Sequence, residues 1–195
     1  MFERLSAIIA DRFLELKVIS SDDYELYRYG IQQGFILLLN ILSVMVISLI
    51  LGMVTECIVF LLSYVPLRSY AGGFHAKTHA RCYVFSLIII TGILLAMRLL
   101  SIPAWLYMLL AVFGVIMIVL FAPVEDANKP LDEVEQIVYR KRTLLILLLT
   151  VIGMILSIVF QAYLSFSAIA FAICLLGILL IAGRVKNNVK DSHLF

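Results

Sequence analysis

Residues 35–53 read FILLLNILSVMVISLILGM, a stretch without one charged side chain. Wound as an α-helix it is about 28 Å long at ~1.5 Å per residue, close to the hydrocarbon thickness of a bilayer. Five further apolar runs follow, at about 54–67, 83–100, 104–122, 144–161 and 166–183. Of the 195 residues 64% are hydrophobic and 14% charged, against about 25% charged in an ordinary soluble domain. A soluble fold has nowhere to hide that much apolar surface, whereas a bilayer does. The expected class is therefore all-α: one polytopic membrane bundle over 1–195, with about six transmembrane helices and no room for a separate soluble domain. The run at 54–67 is the shortest and carries Glu56, so it is also compatible with a re-entrant or bilayer-thinning segment.

The connections between runs differ in charge. Arg4, Arg12, Lys17 and Arg28 precede the first run; Arg68, Lys77 and Arg81 lie in 68–82; Lys129, Arg140, Lys141 and Arg142 lie in 123–143; Arg184, Lys186 and Lys190 follow the last. The intervening connections, GMVT at 52–55, SIP at 101–103 and AYLS at 162–165, hold no Lys or Arg. Basic connections are retained in the cytoplasm, so strict alternation predicts six crossings with both termini inside. Without the second run the alternation breaks. Arg98, near an outer helix end, and Glu56 read as snorkelling side chains.

Residues 1–20, MFERLSAIIADRFLELKVIS, lack the continuous apolar core expected of a signal peptide. Phe2, Leu5, Ile8, Ile9, Phe13 and Leu16 recur at steps of three and four, with Glu3, Arg4, Asp11, Arg12, Glu15 and Lys17 around the other face. This predicts an amphipathic helix lying in the interface or packed on the bundle. The net charge of +2 gives no case for nucleic acid. Three cysteines without paired spacing argue against a disulfide framework, and Cys57 and Cys174, inside apolar runs, read as small buried hydrophobes.

The segment 68–82, RSYAGGFHAKTHARC, is unlike the rest. It gathers His75, His79, the pair Gly72-Gly73 and Cys82 at a predicted cytoplasmic membrane edge. A thiol attacks as thiolate, and an imidazole is suited to take its proton. A helix beginning near Thr78 puts Cys82 in or near its first turn, where the helix N-terminus and Arg81 stabilise negative charge on sulfur. The paired glycine allows backbone conformations that other residues avoid, including ones that aim N–H groups at an oxyanion. On one straight helix His75 lies about 10 Å from Cys82 along the axis, too far for a hydrogen bond, while His79 lies one turn away. Spacing alone favours His79. Metal binding by His75, His79 and Cys82 is an alternative, although Ala76 stands where a zincin has Glu. A third is that these polar residues are merely satisfied at the interface.

At these residues the chain resembles the AgrB family of membrane endopeptidases of bacterial quorum sensing. The likeness rests on R-x4-G-x-H-x6-C from Arg68 to Cys82, on APVEDANKPL at 122–131, on YRKR at 139–142 and on the apolar layout. The resemblance implies a cysteine endopeptidase in the bacterial cell membrane that cuts the C-terminal tail from an AgrD-type propeptide. An acyl-enzyme thioester then allows cyclisation to a signal peptide. It maps the catalytic pair onto His75 and Cys82 and the required Arg and Gly onto Arg68 and Gly73. That moves the base from His79 to His75 and requires a bend or helix start between His75 and Cys82.

Gly72 and His79 remain site-supporting candidates. Arg68 is suited to hold substrate carboxylates or to fix the loop. Lys129, Arg140, Lys141 and Arg142 are suited to an acidic propeptide tail or simply to inside-positive topology. Asp126 is a candidate orienter of His75. No metal or organic cofactor is implied. The expected partners are the propeptide and the lipid bilayer, with a homodimer left open. The rival class is a non-enzymatic small transporter or peptide exporter, against which the nearly clean apolar runs argue.

Overall fold

The computed structural model describes residues 2–74, 79–125 and 132–192. These form seven helices: α1 (Phe2–Glu15), α2 (Tyr24–Leu51), α3 (Val54–Ala71), α4 (His79–Leu99), α5 (Ala104–Phe121), α6 (Glu133–Val159) and α7 (Tyr163–Ser192). Each apolar run became one helix, but the helices outrun the apolar stretches. α2 begins at Tyr24, so the end of the N-terminal region belongs to the first membrane helix, where Arg28 pairs with Glu25 one turn away at 3.2 Å. α6 begins at Glu133, so Arg140, Lys141 and Arg142 are helical rather than part of a loop. Its start is written in Asp132 and Glu135. The Asp132 carboxylate accepts from the Glu135 N–H at 2.6 Å, and Glu135 reaches back to the Asp132 N–H, a reciprocal cap. Hydropathy marks what must lie in lipid; capping and polar pairs decide where the helix ends.

Five helices are long and apolar enough to cross a membrane, at Tyr24–Leu51, Ala80–Leu99, Ala104–Phe121, Glu133–Val159 and Tyr163–Asn187. α3 is not among them, since Glu56, Ser63, Pro66 and Arg68 dilute its apolar content. It nevertheless runs the depth of the bundle. Near its start, beyond the Gly52 turn, Arg98 of α4 donates to the Leu51 carbonyl at 2.6 Å. At its far end Ala71 accepts from the Val124 N–H, past the end of α5, at 2.9 Å. At 18 residues it is about 27 Å long.

α7 is the hub. Most of its apolar window is buried, 72%, and it packs against α3, α5 and α6 and touches α4. One core cluster joins α3, α5, α6 and α7 around Leu67, Ile118, Leu147 and Leu176; the other joins α2, α3, α4 and α7 around Val44, Phe60, Leu94 and Leu175. Small residues let α7 come close to its neighbours: Ala168, Ala170 and Ala172 are fully buried. A Cβ on Gly114 of α5 would stand 2.8 Å from the Cys174 Cα. Lipid supplies no hydrophobic drive between helices, so such close approach is a principal source of their cohesion. Leu49, Ile50, Leu62, Ile88 and Phe160 point outward, as a lipid-facing surface requires.

α1 packs on α2, but not through the full apolar face expected. Ser6 and Ala10 are fully buried, while Leu5, Ile8 and Leu16 are exposed. Small side chains make the close contact, and the large apolar ones are left for the interface. Tyr24 donates to the Asp11 carboxylate at 2.7 Å and ties the two helices together.

Candidate functional site

α3 ends in a glycine pair because the chain must turn sharply and pass close to two other segments. Gly72 has φ +70° and Gly73 φ +117°, both in the region that favours glycine. The Gly72 N–H donates to the Arg68 carbonyl at 3.2 Å, that of Gly73 to Val124 at 3.3 Å and that of Phe74 to Leu179 at 2.9 Å. Gly72 and Val124 form a parallel β-bridge, the only β feature among the described residues. A Cβ on Gly72 would collide with the Val124 carbonyl. One on Gly73 would strike the Arg68 guanidinium and lie 3.1 Å from the Leu179 carbonyl oxygen. From the other side, a Cβ on Gly183 would come within 2.8 Å of the Gly73 carbonyl carbon and the Phe74 nitrogen. The glycines therefore serve close approach. Their N–H groups, and that of Phe74, are engaged on protein carbonyls rather than aimed at an oxyanion.

Arg68, half-buried one turn before the end of α3, closes this loop. Its guanidinium donates to the carbonyls of Gly72 and Phe74. Of the two roles open to it, fixing the loop is the one its contacts carry out. The fork geometry reaches both carbonyls from one planar group, which an ammonium cannot do. Arg68→Lys is accordingly expected to lower the activity of this site about tenfold or more while membrane insertion is kept. Side-by-side activity and detergent-solubilised melting curves would check it; equal activity would show that the fork is dispensable.

α4 is described from His79, and Cys82 lies on it one turn further on. Cys82 is a half-buried free thiol and lines a cavity of about 160 Å³ together with Arg68, Tyr64 and Phe74. His79 is one turn from Cys82 on the same helix; its side chain, and all of His75, Lys129 and Asp126, fall outside the described residues.

The basic residues of α6 divide. Arg140 and Lys141 are exposed. Arg142 sits over the Tyr70 ring at 5.3 Å, within 3.4 Å of its hydroxyl, and Tyr139 meets the same ring edge-on at 5.7 Å. Arg142 thus fastens α6 to the end of α3. Asn187 of α7 donates to the Glu125 carbonyl at 2.9 Å, and Lys186 lies 5.3 Å from the Phe74 ring centre. The ends of α3, α5 and α7 and the first described residues of α4 therefore meet at one end of the bundle, with Arg68, Arg142 and Lys186 among them. Among the described residues no three His, Cys, Asp or Glu side chains assemble into a metal site.

Val124, Leu179 and Gly183 hold the loop and Asn40 of α2 lines the cavity, yet sequence reasoning did not single them out. An amide inside a charge-free apolar run was the available signal for Asn40. Leu179 contributes only its carbonyl, and nothing in its side chain marks it.

Residues 3–181 match the model of the accessory gene regulator B family, AgrB. This chain belongs to the AgrB family. Its curated relatives include AgrB-like protein 2 of Clostridium perfringens, 27% identical over 138 residues that cover 67% of this chain and 64% of the relative. A second AgrB-like protein of Clostridium perfringens is 28% identical over 177 residues, covering 87% and 83%. Protein FsrB of Enterococcus faecalis is 27% identical over 167 residues, covering 85% and 67%. The chain thus spans just under two thirds of the first of these and more of the other two. No solved structure matches. AgrB membership ties the chain to the accessory gene regulator system of quorum sensing.

Proposed function

We propose that this AgrB-family protein is a membrane cysteine endopeptidase that removes the C-terminal tail of an AgrD-type propeptide at the cytoplasmic face. The observation that carries this reading is Cys82: a free, half-buried thiol on α4, on the wall of a cavity it shares with Arg68. His75 takes the Sγ proton, and the thiolate adds to the carbonyl of the junction peptide bond. The C–N bond breaks, His75 returns the proton to the leaving amine, and the acyl group stays on Cys82 as a thioester. An internal Cys or Ser of the propeptide then attacks that carbonyl. It closes the ring and releases the Cys82 thiolate, which regains a proton. Exchange of one thioester for another is nearly balanced, so ring closure competes where water is scarce.

Co-expression with a propeptide tagged at both ends is expected to yield a free tail. Uncut propeptide outside the cell, with no free tail inside, would support an exporter instead. His75→Ala is expected to lose release about 10²-fold or more, as removal of a general base does, and His79→Ala to keep it. The opposite result would make His79 the base. Both termini are read as cytoplasmic from the charge alternation. Lys129, Arg140 and Lys141 are read as attracting an acidic tail. Reversing the last two to Glu is expected to weaken processing several-fold, most at low salt. Unchanged processing at all salt concentrations would leave them a topological role only.

A further inference from the structure

Behind Cys82 the cavity continues between α2, α3, α4 and α7. Its α4 wall runs from Cys82 to Ile90, about 12 Å along the helix axis. Its depth is closed by apolar side chains such as Ile41, Leu61 and Leu175. Asn40 of α2 is a polar exception. Its Nδ2 donates to the Ile36 carbonyl at 3.2 Å, while its Oδ1 is buried without a partner. An orphan acceptor of this kind is costly unless a ligand brings a donor. A lipid chain would fill apolar space and leave Oδ1 unpaired. A peptide brings both an apolar side chain and an N–H.

We propose that this cavity is the specificity pocket of the site. It takes the apolar side chain of the substrate residue whose carbonyl becomes bonded to Cys82 Sγ, and Asn40 Oδ1 accepts a backbone N–H of the same peptide. The assignment rests on the endopeptidase reading. The α-carbon of that residue is two bonds from Sγ in the thioester, so its side chain needs room beside Cys82, and the cavity supplies it. A narrow apolar slot selects by size and shape, and each methylene changes the rate about tenfold or more.

The test uses propeptides carrying Phe, Leu or Ala at that residue, cut by the full-length wild-type protein and by Leu61→Trp, which narrows the pocket. Wild type is expected to prefer Phe or Leu over Ala by about tenfold or more, and Leu61→Trp to level or reverse the preference. The ratio is taken within one protein and does not depend on how much of it folds. Asn40→Leu removes the unpaired acceptor, so its melting temperature should equal or exceed that of wild type. It should slow all three substrates about tenfold, leaving their ratio unchanged. The same substrate ratio in wild type and Leu61→Trp would overturn the pocket, as would equal slowing of all three by Leu61→Trp, the behaviour of a lipid-filled cavity. A wild-type rate in Asn40→Leu would overturn the role of Asn40. Tail release by Cys82→Ala in the same assay would overturn the endopeptidase reading, and the pocket with it. A silent Cys82→Ala beside an active wild type with unmoved ratios would defeat the pocket alone.

Discussion

Cys82→Ala is expected to release no propeptide tail while reaching the membrane at the level of wild type. The loss should be on the order of 10³-fold or more, because no other group takes the place of a missing nucleophile. Little stability should go with it. Cys82 is half-buried on a cavity wall, so removing its sulfur only enlarges space that already exists. Cys57 and Cys174 supply the contrast, at 0% and 6% exposed within the packed bundle. Their alanine variants should keep release per folded molecule and lower the melting temperature, since truncation there opens new voids. A thiol-alkylating reagent should likewise block wild type, and a variant with Cys82 as its sole cysteine should stay sensitive. Undiminished release by Cys82→Ala would remove the proposed chemistry altogether.

How much of this was legible in the sequence depends on the range of the interaction. Features set within one or two turns could be read directly. The charge-free run at 35–53 became α2, whereas the Asp132–Glu135 cap that starts α6, though local, lay inside a stretch read as a connection. The bend required between His75 and Cys82 falls on residues 75–78, outside the described residues. What failed to show were contacts that depend on where distant backbone lies. Nothing local to Arg68 says that it will grip the carbonyls of Gly72 and Phe74. Nothing local to Phe74 says that its N–H will find Leu179, more than 100 residues on. The hub position of α7 was equally hidden, because all its neighbours are apolar too. The distinguishing feature was its run of small residues, which matters only when a partner such as Gly114 comes against it. In α1 the same rule shifted the contact to one side of the expected face, burying Ser6 and Ala10 while Leu5 and Ile8 stay exposed.

Gly73→Ala tests whether that distant backbone holds the site. At φ +117° an L-residue is already strained. The added methyl would also collide with the Arg68 guanidinium and press on the Leu179 carbonyl 3.1 Å away. Either the Arg68 fork lets go of Gly72 and Phe74, or the loop withdraws from α7. Both outcomes move the chain that leads into Cys82, and displacement of about 1 Å is enough to cost about 10²-fold in rate. Gly52→Ala is the matched control. It too has positive φ, +68°, but nothing lies within 4 Å of the new carbon, so it should cost about 1–2 kcal/mol of stability and leave release within a few-fold of wild type. Melting of both variants in detergent separates the two cases. Gly73→Ala carries at least the strain of Gly52→Ala, so it should melt no higher than that control. Most of the packing around Phe60, Leu67 and Leu176 lies outside the loop, so it should still unfold cooperatively while its release per folded molecule falls far below that of Gly52→Ala. Wild-type release from Gly73→Ala would mean that the loop's grip on Arg68 and α7 does not position Cys82.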